Sequence, residues 1–130
     1  MRLLVDTHIF LWYITADSRL PASFQAAIQD SCNEVYLSAV SVWEAVIKHS
    51  LGKLSLPRTP AEDLPQQRAA HGIAALPVDE AAMWHLAGLA AFHRDPFDRL
   101  LIAQAMQHEL AFNTVDTEIA AYPVNQLATL

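Results

Sequence analysis

Apolar residues along this chain come in two spacings, short unbroken runs and longer stretches with helical periodicity. Leu3-Leu4-Val5, closed by Asp6, predicts a buried strand, and the apolar segment from Ile9 to Ile14 predicts a helix directly after it. Pro21 precedes a helical stretch through about Asp30. Val35-Tyr36-Leu37 predicts a second strand that runs into Ser38 and a helix around Trp43 to Leu51, with Gly52 as its stop. Leu56 to Pro65, with Pro57, Pro60 and Pro65, predicts a loop that leads into a helix over about Gln66 to His71. Ile73 to Val78 predicts a third strand, and Asp79 is placed to cap a helix from Glu80 to Phe92. Asp95-Pro96 opens another helix through Glu109, and Ala111-Phe112-Asn113 predicts a fourth strand that ends near Asp116. Strands separated by helices predict an α/β fold with a parallel sheet covered on both faces. Ligands of such sheets gather beyond the carboxyl ends of the strands, where Asp6 and Asp116 are expected.

Composition sets the outer limits. A length of 130 residues matches one domain, and 53% apolar residues can form a sizeable core without disulfides. Cys32 stands alone, which fits a reducing compartment and a small buried hydrophobe. The opening MRLLVDTHIFLWYI carries Asp6 and His8 within its apolar stretch, unlike a secretory signal. No apolar run approaches the roughly 18 residues of a membrane span, so a cytoplasmic protein without a membrane partner is expected. The formal net charge of -6 excludes broad attraction to phosphates. Nucleic-acid binding must then be local, through a few bases or a metal ion.

Four carboxylates stand out, because Asp6, Glu44, Asp98 and Asp116 all lie where a predicted element begins or ends beside an apolar run. Two carboxylates about 4 Å apart repel by ~4 kcal/mol at an effective dielectric near 20, and a divalent cation relieves that repulsion. Asp98 shares a helical face with Leu101, Ile102 and Ala105, an unusual place for an acid unless it serves a site. Complementing the helix dipole is its simpler role, while Asp95 before Pro96 reads as an N-cap. Glu44 completes a capping box with Ser41, so it is either a cap or a cation-facing acid. Asp6 also suits an N-cap, and Asp116 a turn, with the Thr114 hydroxyl near enough to orient a water or a carboxylate.

Other chemistries are poorly supplied. Gly52, Gly72 and Gly88 form neither a P-loop nor a dinucleotide turn. The histidines lack zinc-site spacing, and Ser38 and Ser41 lack a nucleophile-elbow setting. Trp12, Tyr13, Trp43, Trp84 and Phe92 are expected in the core or in helix packing. Lys48, Lys53, Arg94 and Arg99 lie within or beside the acid-bearing elements and can hold phosphates or simply face solvent.

LLVDTHIFLWY, LSAVSVWEAVIKHSLGKL, HRDPFDRLLIAQA and NTVD together resemble the PIN-domain ribonucleases, specifically VapC-type toxins of bacterial toxin–antitoxin pairs. HRDPFDRLLIAQA is the most specific of these segments, and the similarity spans nearly the whole chain. It implies a single PIN-like domain over residues 1–130, a three-layer α/β/α sandwich, and an acidic site at Asp6, Glu44, Asp98 and Asp116. Before the late Thr-x-Asp, the stretch AFNTVDTEIAAY is less apolar than the family pattern. The expected chemistry is hydrolysis of RNA phosphodiesters with Mg²⁺ or Mn²⁺ held by Asp6, Asp98 and Asp116, and with Glu44 positioning the attacking water. Expected partners are RNA, a small antitoxin and a second copy of the chain. A non-catalytic PIN-fold binding module is the alternative, and widely spaced acids or acids paired to Arg94 and Arg99 would mark it. A phospho-acceptor domain would want an acid adjacent to a strand-end Asp and a strand-end Lys, and neither stands out.

Overall fold

A computed structural model of the chain describes residues 1–89, 95–117, 119 and 122. Its first strand, β1 (Arg2–Val5), is followed by α1 (Thr7–Ile14) and α2 (Ala22–Gln29). Next come β2 (Glu34–Ser38), α3 (Ala39–Ser50), α4 (Pro60–Ala70) and β3 (Ala74–Leu76). The described chain closes with α5 (Ala81–Ala87), α6 (Pro96–Gln107) and β4 (Ala111–Asn113). The strands pair in the order β3-β2-β1-β4, and every pairing is parallel.

Strand alternation divides the core into two layers. Leu3, Val5, Val35 and Leu37 pack with Ile9, Phe10, Phe24, Ile28 and Leu64 from α1, α2 and α4. Leu4 and Phe112 project to the other face, where Leu101, Ile102 and Ala105 of α6 cover them. The architecture is therefore the three-layer α/β/α sandwich with a central parallel sheet. β1 is central, with Leu3 opposite both Val35 of β2 and Ala111 of β4. From β1 the chain builds outward to β2 and β3, then crosses back to place β4 on the opposite side of β1. That reversal makes the β1–β4 boundary the topological switch point, with Asp6 and Asp116 just beyond the two strand ends.

Several local expectations hold and several need correction. Gly52 stops α3 with φ +72, the amide of Gly52 bonding the His49 carbonyl (3.1 Å) and that of Lys53 the Lys48 carbonyl (2.9 Å). The helix expected from Gln66 instead begins at Pro60, because Pro60 suits a first turn and Leu64, one turn on, is buried against the sheet. Pro65 lies inside that helix, where it lacks the N–H that would bond the Ala61 carbonyl. Of the aromatic residues assigned to packing, Trp12 and Tyr13 are half-buried, whereas Trp43 is 50% and Trp84 78% exposed. Their rings pair edge-on with Phe97 and His85 on the surface. Cys32 is exposed rather than buried, in a turn where its amide bonds the Asp30 carboxylate. Phe92 and Arg94 lie outside the described residues.

Candidate active site

Asp6 is the residue at which the central strand ends. Its amide continues the ladder by donating to the Asn113 carbonyl of β4 (2.9 Å), and its extended backbone makes it the N-cap of α1. Oδ1 accepts from the Thr7 amide and Oδ2 from the Thr114 hydroxyl, both at 2.7 Å. The Thr114 hydroxyl also accepts from the Asp116 amide (3.1 Å), which ties the segment after β4 to the end of β1. Burial raises the pKa of Asp6; the bonds from Thr114 and Thr7 oppose the rise, and the negative charge of Glu44 adds to it.

Glu44 comes from the adjacent crossover. The residue is 3% exposed on α3, its Oε1 accepting from the Thr7 hydroxyl at 2.6 Å. With its one proton committed to Glu44, that hydroxyl accepts from Ser41 (2.9 Å). The capping box expected of Ser41 and Glu44 is absent. β2 extends through Ser38, which caps α3 by accepting from the Val40 amide, so Ser41 and Glu44 lie inside the helix. Lys48, one turn after Glu44, forms an ion pair with Glu44 Oε2. Burial lowers the Lys48 pKa, but the bond and charge of Glu44, with the charges of Asp95 and Asp98, outweigh it and raise the value.

At the start of α6, Asp95 caps the helix by accepting from the amides of Phe97 (2.9 Å) and Asp98 (3.5 Å). Asp98 is half-buried, one turn before the buried Leu101 and Ile102. Asp116, also half-buried, follows β4. All four acids named from the sequence line one cleft of about 470 Å³, and Asp95 joins them. Lys48, Arg19, His8 and Trp12 contribute to the same lining. The linking role of Thr7 and the parts of Arg19 and His8 have no local sequence signature. The Glu44–Lys48 pair has one, the helical i,i+4 spacing.

The donor set suits a hard cation that keeps much of its water. Every acidic donor is a carboxylate oxygen, and at Asp6 burial raises the pKa, with the neighbouring charge of Glu44 adding to the rise. Among the described residues, no group of three His, Cys, Asp or Glu side chains is gathered closely enough to hold a metal ion, so there is no preformed all-protein cage. Mg²⁺ commonly uses one or two carboxylates plus waters and substrate phosphate, and this arrangement fits that mode rather than a structural Zn²⁺ or Ca²⁺ site.

The PIN domain profile matches residues 3–125 of the chain. Ribonuclease VapC16 of Mycobacterium tuberculosis (strain ATCC 25618 / H37Rv) is 39% identical over 61 residues, covering 47% of this chain and 43% of that relative. The chain thus spans less than half the length of that relative. Among solved structures, VapBC2 from Rickettsia felis, bound to a DNA fragment from its promoter, superposes with a TM-score of 0.70 at 14% identity. That match covers 98% of each chain. VapBC-1 from nontypeable Haemophilus influenzae gives 0.67 at 13% identity, over 98% of this chain and 97% of that one. At these identities the likeness is one of fold. No helix among the described residues is long and apolar enough to cross a membrane.

Proposed function

The chain belongs to the PIN domain family, and on that premise we propose that it is a metal-dependent endoribonuclease, a VapC-type toxin held in check by a cognate antitoxin. The observation that carries this proposal is the meeting of Asp6, Glu44, Asp98 and Asp116, drawn from separate parts of the chain, around one cleft at the β1–β4 boundary. Asp6, Asp98 and Asp116 are the residues that would hold Mg²⁺ or Mn²⁺, one or two of them directly and the rest through water, and the ion would supply positive charge to the carboxylates, acidify water and offset charge developing on the scissile phosphate. Thr7 and Thr114 aim both oxygens of Asp6. Glu44, bonded by the Thr7 hydroxyl and by Lys48, lines the cleft and orients the attacking water. RNA is the substrate class.

Partners follow from the same premise. An apolar groove of about 470 Å³ beside α3, with Val42, Trp43, Val46 and Leu76 in its lining, suits the packing of an antitoxin tail. A homodimer and a cytoplasmic location are part of the proposal. The ion pair of Lys48 with Glu44 favours the alternative of a non-catalytic binding module, since an internal cation already neutralises one acid.

Asp98→Asn separates the two readings. Calorimetry with Mg²⁺ and cleavage of a mixed RNA substrate are expected to show weakened ion binding and a rate loss on the order of a hundredfold or more. Unchanged ion binding and cleavage would remove the ribonuclease proposal.

A further inference from the structure

The cleft is a poor attractor of phosphates. Its lining holds Asp6, Glu44, Asp95, Asp98 and Asp116 against Lys48 and Arg19, and both bases are already paired, Lys48 with Glu44 and Arg19 with Asp17. The chain as a whole carries a formal charge of -6. The side chains of this cleft therefore give an entering nucleic-acid strand little Coulomb attraction of their own, and affinity beyond the contact of a bound cation with phosphate needs another source.

Three flat side chains in the same lining supply one. His8 and Trp12 lie four residues apart on α1, with ring centroids 6.1 Å apart and planes inclined by 34°. The Arg19 guanidinium lies over the Trp12 ring at 5.1 Å. It is held there by a two-pronged bond to Asp17, from Nε at 3.0 Å and from Nη2 at 2.7 Å. The Arg19 amide adds a third bond to the same carboxylate (2.9 Å). His8 and Arg19 are exposed, and Trp12 is half-buried. With its charge answered by Asp17, Arg19 contributes chiefly a stacking surface.

We propose that His8, Trp12 and Arg19 form a nucleobase-stacking wall that takes an unpaired base of the RNA next to the carboxylates. This rests on the ribonuclease reading above. Bases inside a duplex have both faces covered, so the wall selects single-stranded segments. Stacking gains from ring area and depends little on salt, so purines bind more tightly than pyrimidines and the salt dependence is shallow.

AMP and ribose 5-phosphate test this, because they share a phosphate and a ribose and differ only in the base. In NMR titrations with Mg²⁺ present, AMP is expected to shift the Trp12 indole N–H signal and to bind roughly tenfold more tightly than ribose 5-phosphate, within the range for stacking one base. Trp12→Ala brings the two affinities together, and Trp12→Phe keeps most of the difference. His8→Ala and Arg19→Ala, at exposed positions, each reduce the ratio. Equal affinities in the unaltered protein, or a ratio that none of these changes moves, overturn the wall. RNA cleavage on the same samples separates the two levels. Cleavage without base discrimination removes the wall and leaves the nuclease; base discrimination without cleavage of any RNA keeps the wall and removes the nuclease.

Discussion

Two buried polar networks sit at the carboxyl edge of the sheet, and they are built on opposite terms. In the first, Ser38 accepts from the Val40 amide (3.0 Å) and donates to Gln104 Oε1, while Gln104 Nε2 donates to the Pro77 carbonyl (3.2 Å). Both side chains are fully buried, neutral and partnered, joining the ends of β2 and β3 to α3 and α6. In the second, Asp6, Thr7, Ser41, Glu44 and Thr114 share hydrogen bonds around two carboxylates, with Lys48 as the ammonium that bonds directly to one of them. Beside it, Asn113 is wholly buried with neither polar side-chain atom hydrogen-bonded among the described residues. A closed neutral network specifies a fold; a network left short of positive charge, next to an unsatisfied amide, concedes stability at a site.

Breaking each network should expose that contrast. Lys48→Gln leaves the buried Glu44 carboxylate without its ammonium and is expected to cost about 2–3 kcal/mol, less than a fully buried pair because Lys48 is 29% exposed. Mg²⁺ should raise the melting temperature of this variant more than that of the unaltered protein. Equal Mg²⁺ responses in calorimetric scans would show that the charge deficit is not what a cation answers. Ser38→Ala removes a cap and strands the Gln104 carbonyl, at an expected cost of about 1–2 kcal/mol that Mg²⁺ does not recover. Urea unfolding with and without the ion checks this.

The smallest effect concerns pH. Because burial raises the pKa of Asp6, the folded state holds that proton more tightly than the unfolded chain. Asp6 therefore contributes increasing stability to the metal-free protein as pH falls from neutral through the raised pKa toward the ordinary aspartate value. Asp17 has the opposite sign, since its bond to Arg19 lowers its pKa to about 2, and its contribution is lost only below the ordinary value. Asp6→Asn should flatten the rise in the upper window, measured by urea midpoints in EDTA. A rise unchanged by the substitution would assign it to another group.

The fold was largely legible because strand and helix periodicities differ and the runs are well punctuated. Val5 to Asp6 and Asn113 to Asp116 mark strand ends by an abrupt change of polarity, and Asp95-Pro96 marks a helix start by local chemistry alone. Local motifs misled where a tertiary partner outbid them. Ser41 and Glu44 satisfy a capping pattern, yet Ser38 takes the cap and Thr7, from another element, takes Glu44. Pro65 reads as a breaker, yet the burial of Leu64 carries the helix through it. The exposure of Trp43 and Trp84 was invisible because size and polarity do not reveal which side of a helix meets solvent.

The sequence by itself determined the order of elements, the parallel arrangement and the positions of the acids along the chain, since these follow from short-range periodicity and crossover length. Only the tertiary structure decided that Thr7 links Asp6 to Glu44, that Thr114 reaches Asp6 from the far end of the chain, and that Arg19 lies against Trp12 in the same cleft. These contacts join groups whose meeting depends on how strands register and helices pack, and a side chain carries no local record of the partner it will meet.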